Sequence, residues 1–366
     1  MHTPEAAEAP RPLEFHGDAE LAELGAGATG EGALRANFAV NVRAGGPPQW
    51  LLDVLSDALP ELGAYPPQRA LDDARRAVAN YHGVDTENVL LLAGAAEGFA
   101  LLSNLAPRHA LVVHPGFTEP EAALAAAGLP VDRMVLRPPF SLGGNNPSEP
   151  PEEADLVVIG NPTNPTGVVH DPRAIADWRR PGRTVVVDEA FLDVVGEEHS
   201  LVGLAARQPG LVVLRSLTKT WALAGLRCGY AVGSADTLSR LARTRPHWAM
   251  DTLQLTAVRE VLARARDLLP GIRAELAAER VAMRDELARA GFAEVSASKA
   301  PYLLVRPPVP EEETAAEQLR RKLGAQGFAI RRCSTFPGLD AGVWRLAVRP
   351  IDQVRELVRA VERLGH

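Results

Sequence analysis

ADLVVIGNPTNPTG (154–167), RTVVVDEAF (183–191) and GLVVLRSLTK (210–219) repeat one pattern. Each is a short unbroken apolar run that ends in polar or turn-forming residues. Runs of this length without alternation are strands buried on both faces, as in a parallel sheet covered by helices on each side. NVLLLAG (88–94), HALVVHPG (109–116) and RCGYAVG (227–233) share the pattern. Helical periodicity marks PQWLLDVLSDALPEL (48–62) and QRALDDARRAVANYHG (68–83). The expected fold class is α/β, with a mainly parallel mixed sheet in a large domain over 45–248. A long helical stretch (251–291) follows. Then come PYLLVRPP (301–308), a helix around 311–326, VWRLAVR (343–349) and a closing helix, QVRELVRAVERLG. This second part, 249–366, reads as a smaller C-terminal α+β domain. Residues 1–44, with three arginines and seven acidic residues, read as an arm lying on a surface.

Composition narrows the function. The chain has 366 residues, 46% hydrophobic and 23% charged, which is globular usage. Its net charge of −7 makes a nucleic acid or an anionic membrane an unexpected partner. Two cysteines, Cys228 and Cys333, make no disulfide framework and fit a reducing compartment. The opening MHTPEAAEAPRP lacks the basic and apolar stretches of a secretory signal. No apolar run reaches the roughly 18 residues of a membrane helix. A soluble, cytoplasmic protein is expected. Only three lysines occur, Lys219, Lys299 and Lys322. Where arginine is the default cation, a retained lysine is a candidate for chemistry that needs a neutral amine.

Four strand ends carry that chemistry. In LLAGAAEGFALL (91–102) a strand ends at Gly94 and small residues leave the N–H groups of Ala95 and Ala96 bare for a phosphate. In GNPTNPTG (160–167) two Asn-Pro steps make a rigid turn that aims Asn164. Asp188 closes a run of three valines, and a carboxylate there needs a cationic partner. Lys219 follows Ser216 and Thr218 directly after a strand, and Arg227 lies eight residues on. Two hydroxyls and an arginine can share a phosphate. A desolvated lysine beside cations has a lowered pKa and acts as a nucleophile. A phosphate anchor, an amine and a buried carboxylate are the parts of a pyridoxal 5'-phosphate site.

The order G-A-A-E, P-G-F, N-P-T-N-P-T-G, D-E-A-F and S-L-T-K-x-x-x-x-x-G-L-R resembles the fold-type I aminotransferases. The resemblance spans roughly residues 15–355. The branch is that of histidinol-phosphate aminotransferase and of threonine-phosphate decarboxylase of cobalamin synthesis. It implies the pyridoxal-phosphate-dependent transferase fold of type I. By resemblance, Lys219 holds the cofactor covalently, Asp188 keeps its ring nitrogen protonated, Asn164 donates to the ring 3-oxygen and Phe117 stacks on the ring. Ala95, Ala96, Ser216, Thr218 and Arg227 hold the phosphate. Tyr65, in AYPP, resembles the tyrosine that reaches the partner subunit's cofactor, which implies a homodimer. Arg345 resembles the substrate α-carboxylate binder, with Asn41 near it. Arg331 matches the arginine that reads a distal substrate phosphate, although Arg332 is adjacent and the register is open.

Three features choose between branches. Phe191 stands where aminotransferases of this group usually carry tyrosine, and D-E-A-F resembles the decarboxylase. FHG (15–17) and NFAVNVRAGGPPQWL (37–51) resemble the decarboxylase opening, which brings His16 toward a substrate phosphate. IRRCSTFPGL (330–339) and Arg349 resemble its tail. Against this, Asp18, Asn37, Val42-Arg43 and Pro301-Tyr302 depart from the pattern, all on the substrate side. The expected activity is decarboxylation of O-phospho-L-threonine to 1-aminopropan-2-ol phosphate. The alternative is aminotransfer of the histidinol-phosphate type. Either way the expected partner is a small phosphorylated amino-acid substrate.

Overall fold

The structure, a computed structural model, describes residues 12–27, 34–310 and 313–364. Most of MHTPEAAEAPRP therefore lies outside the described residues. In chain order the first elements are α1 (Gly17–Gly27), β1 (Ala36–Asn37), α2 (Gln49–Ala58), α3 (Gln68–His82), β2 (Val89–Leu92) and α4 (Ala95–Ala100). Next come β3 (Ala110–His114), α5 (Glu119–Ala126), β4 (Val131–Val135), β5 (Leu156–Gly160), α6 (Pro172–Ala176) and β6 (Thr184–Asp188). Then follow α7 (Val202–Ala205), β7 (Leu211–Ser216), β8 (Gly229–Gly233), α8 (Ala235–Leu241) and α9 (Thr252–Arg289). The chain closes with β9 (Ala293–Glu294), β10 (Tyr302–Arg306), α10 (Glu313–Ala325), β11 (Phe328–Ala329), β12 (Arg331–Arg332), β13 (Trp344–Ala347) and α11 (Ile351–Leu364).

Seven strands form the large sheet in the order β2-β8-β7-β6-β5-β3-β4. Only β8 runs against the others. The valines of β6 and the apolar residues of β7 are fully buried, as expected of strands covered on both faces. The register Gly160↔Asp188↔Leu214 brings the carboxyl ends of β5 and β6 level, with β7 running two residues further to Ser216. Ligands of open parallel sheets bind at that edge.

Helix α3 stops where Gly83 turns left-handed at φ 67°. Helix α9 starts at a capping box: the Asp251 carboxylate accepts from the Gln254 N–H at 2.7 Å, and the Gln254 side chain accepts from the Asp251 N–H at 2.9 Å. Leu255, Val258, Leu262, Ala265, Leu269, Ile272 and Leu276 of α9 are buried at alternating steps of three and four. This stripe lets one helix pack on α2 and α3 at one end and on α11 at the other.

The C-terminal part is a four-stranded antiparallel sheet, β12-β13-β10-β9, with α9 packed on β9 and β10, and with α10 packed on α11 and β11. The N-terminal segment is more than a surface arm. β1 pairs in parallel with β11, and Phe15, Phe38, Ala39 and Asn41 are buried. Arg349 fastens it by donating to the carbonyls of Asn37, Val40 and Val42.

Candidate active site

A cavity of about 470 Å³ lies at the carboxyl edge of the large sheet, between that sheet and β12–β13. Every candidate residue named from the sequence lines it except Tyr65. Tyr65 is 72% exposed outside the cavity and stacks on Trp248 at 4.1 Å.

The phosphate-sized end is built by β7, α4 and the loop to β8. Ser216 Oγ and Thr218 Oγ1 lie 2.7 Å apart, held by the end of β7. Arg227 sits in the left-handed region at φ 60°, a conformation that a non-glycine residue adopts at a cost. That backbone brings its guanidinium over Gly94. A Cβ on Gly94 would lie 2.9 Å from Arg227 Nη2, and Gly94 itself has φ 79°. Glycine is required there on both counts. The space it leaves, the two hydroxyls and the backbone of Ala95 and Ala96 form a cradle for a phosphate.

Deeper in the cavity are Lys219 and Asp188. Burial pushes the Lys219 ammonium down to about 8, and Arg345 and Arg227 add to the shift. About a tenth of this amine is therefore neutral at pH 7, against well under a hundredth for an ordinary lysine. Burial pushes the Asp188 carboxyl up to about 6, against the Ala190 N–H and Lys219, which favour its ionised form. A protonated ring nitrogen is a cation that would keep Asp188 ionised. Asn164 is oriented by Arg345: Nη1 donates to Asn164 Oδ1 at 2.7 Å, which leaves the Asn164 amide N–H free to donate to a ring oxygen.

The opposite wall carries cations. β12 and β13 place Arg331 directly across from Arg345 and Arg332 across from Trp344. Arg331 lines the cavity together with Arg345, whereas Arg332 does not line it; both guanidinium groups lie over the Phe15 ring. Both amide atoms of Asn41 and the Nε of Arg345 are buried without partners among the described residues. The two donors among them, Asn41 Nδ2 and Arg345 Nε, are of the kind a substrate carboxylate satisfies. Phe117 lines the cavity, with the His16 ring 5.2 Å away on it. His16 Nε2 lies 2.8 Å from the Glu119 carboxylate.

Four participants were not anticipated from sequence. Glu119 stands two residues past Phe117 and backs His16. Phe336 packs on the Arg331 guanidinium at 4.7 Å. Tyr302 sets its ring edge-on to Phe191 at 5.1 Å and donates its hydroxyl to the Thr163 carbonyl at 3.0 Å. Buried Glu20 gathers three arginines. Of these, only Tyr302 left a mark in the sequence, as part of the Pro301-Tyr302 departure from the family pattern.

Beneath the site lies a buried ion cluster. Arg215, 1% exposed, reaches Glu189 at 3.1 Å and Asp193 and Glu197 at 2.6 Å each. It joins the backbone neighbours of Asp188 and Ser216, and so stiffens both strand ends.

Comparison with known proteins agrees with this geometry. The family described as aminotransferase class I and II matches residues 36–361. A Mycobacterium bovis protein named histidinol-phosphate aminotransferase is 47% identical over 345 residues, covering 92% of this chain and 87% of its own. A Salmonella typhimurium protein named threonine-phosphate decarboxylase is 30% identical over 336 residues, covering 90% of each. A crystal structure of histidinol-phosphate aminotransferase from Sinorhizobium meliloti, in complex with pyridoxal-5'-phosphate, superposes with a TM-score of 0.80. It covers 99% of both chains at 17% identity.

Proposed function

We propose that this chain, which belongs to the class I and II aminotransferases, is a pyridoxal-phosphate enzyme that moves the amino group of a small phosphorylated amine of the histidinol-phosphate type. The observation that carries this reading is the pairing of Arg331 and Arg345 across one strand pair, beside Lys219. A transfer enzyme must admit a phosphorylated partner and an amino donor such as glutamate in turn. Two adjacent guanidinium groups suit both, since each binds phosphate or carboxylate in a fork.

When bound, pyridoxal phosphate supplies a carbonyl that captures amines and a ring that accepts electrons from the amine-bearing carbon. The chain does the rest. Ser216, Thr218, Arg227 and the N–H groups of Ala95 and Ala96 hold the phosphate in the cradle that Gly94 leaves open. Asp188 would keep a proton on the ring nitrogen. Asn164, oriented by Arg345, would donate to the ring 3-oxygen. Phe117 would cover one ring face. Lys219 would hold the cofactor, and its amine would move the proton at the substrate carbon. Arg345 and Asn41 orient a carboxylate, and Arg331 binds the distal anion.

Decarboxylation of O-phospho-L-threonine, the first expectation from sequence, is the second reading. Phe191 and the position of His16 at the cavity favour it. The stronger likeness to proteins named for aminotransfer weighs against it. The test is a steady-state assay of the cofactor-loaded protein. L-Histidinol phosphate with 2-oxoglutarate should yield glutamate. Carbon dioxide from O-phospho-L-threonine without any keto acid, and no glutamate from the first pair, would overturn the transfer reading.

The same reading includes a homodimer. Exposed Tyr65 and Trp248, stacked on each other, form an aromatic ledge suited to a second copy. Sedimentation should give a dimer, and Tyr65→Ala should weaken cofactor retention. A monomer with full cofactor content would remove the role of Tyr65.

A further inference from the structure

Glu20 lies on α1, far in sequence from every strand end that carries chemistry, yet it is only 2% exposed. One carboxylate oxygen accepts from the Arg332 backbone N–H at 3.0 Å and from Arg332 Nε at 3.1 Å. The other accepts from Arg320 Nη1 at 2.6 Å. Arg331 Nη1 stands 3.8 Å from the first oxygen. The Glu20 carboxylate thus meets three converging guanidinium groups, one of which lines the active-site cavity, while Arg320 is also held by Glu317 at 2.7 and 2.9 Å.

Phe15, five residues earlier, completes the mount. Its carbonyl accepts from Arg331 Nη2 at 2.6 Å, and Thr335 Oγ1 accepts from the same nitrogen at 2.8 Å. The Phe15 and Phe336 rings hold the guanidinium at 5.1 and 4.7 Å. Arg331 Nη1 also donates to the Arg332 carbonyl at 2.9 Å. Of the five N–H bonds of Arg331, both on Nη2 and one on Nη1 are thereby committed. The Nε–H and the second Nη1–H remain for a ligand. Between Phe15 and Glu20, His16 is tied to Glu119 on the other side of the cavity. The segment 15–20 therefore bridges both walls.

We propose that Glu20 is a positioning residue for substrate recognition, which fixes the Arg331 guanidinium and so sets the preference for a phosphorylated substrate. This rests on the assignment of Arg331 as the reader of the distal anion. Without the carboxylate, Arg331 loses the negative charge beside it while the charges of Arg332 and Arg320 still act on it, and its guanidinium shifts away from the cavity.

The test is binding to the cofactor-loaded protein, followed by its absorbance change. L-Histidinol phosphate is compared with L-histidinol, and O-phospho-L-threonine with L-threonine. Glu20→Gln should reduce the preference for the phosphorylated member by about tenfold, the scale of coupling within a charged network. Cofactor absorbance and affinity for the unphosphorylated member should stay within twofold. In an Arg331→Gln background the same change should add less than twofold. Glu20→Asp, which keeps the charge but shortens the reach, should show the same selective loss and carries the test if Glu20→Gln does not fold. An equal loss for both members of each pair, or no loss where Arg331→Gln has one, would overturn the proposal. If Arg331→Gln itself leaves the preference unchanged, the assignment of Arg331 falls, and the role of Glu20 with it.

Discussion

Arg331 and Arg345 face each other across the antiparallel pair β12–β13 and line the same cavity. On this relationship rests the proposal that Arg331, and not the adjacent Arg332, serves the substrate. Arg331→Gln should raise KM for a phosphorylated substrate roughly 10- to 100-fold, the worth of a charged hydrogen bond. Arg332→Gln should raise it less. Steady-state kinetics on both variants checks the order. A larger effect from Arg332 would mean that the register argument fails.

The lowered pKa of Lys219 gives a pH prediction. An ordinary lysine becomes nucleophilic near pH 10, whereas burial and two arginines bring Lys219 to about 8. Covalent loading of the cofactor-free chain should thus accelerate as pH rises, with a midpoint near 8. Arg345→Met removes a neighbouring positive charge, so the ammonium becomes easier to keep and the midpoint should move up. Stopped-flow absorbance measures both, and a midpoint that stays put in the variant would contradict the assigned cause.

Gly94→Ala tests the cradle. The added methyl meets Arg227 at 2.9 Å and sits on a backbone at φ 79°. Cofactor affinity should drop about tenfold or more, as one charged phosphate contact is displaced. Equilibrium dialysis against pyridoxal phosphate reads it. Unchanged affinity would show that the phosphate lies elsewhere.

Arg215 is expected to matter for stability, not for substrate. Removing it strands three buried or half-buried carboxylates. Arg215→Met should cost about 3–5 kcal/mol in denaturant unfolding. A change below about 1 kcal/mol would mean that the carboxylates take up protons at little cost. Tyr302→Phe strips the hydroxyl from the Thr163 carbonyl and should cost about 1–3 kcal/mol.

The buried strands were legible because their apolar runs are uninterrupted, and the residues that line the cavity because most of them sit at or just past strand ends. β4 was not. Asp132 and Arg133 break its pattern at the sheet edge, where one side meets solvent and Arg133 pairs with Glu121. The N-terminal segment was misjudged for a different reason. Glu20 looks like one acid among seven, and its partner Arg320 lies 300 residues away. Local composition carries no trace of such a contact. Phe191 and Tyr302 were each visible as departures, but only the fold shows that they touch.

The central claim is amino transfer, and a single turnover tests it most directly. Cofactor-loaded protein is mixed with one equivalent of L-histidinol phosphate and no keto acid, and products are weighed by mass spectrometry. A parallel sample receives O-phospho-L-threonine. The account predicts one equivalent of keto product from the first, with the nitrogen left on the enzyme, and no carbon dioxide from the second. Loss of carbon dioxide from phosphothreonine with its amine retained, and histidinol phosphate returned intact, would contradict it.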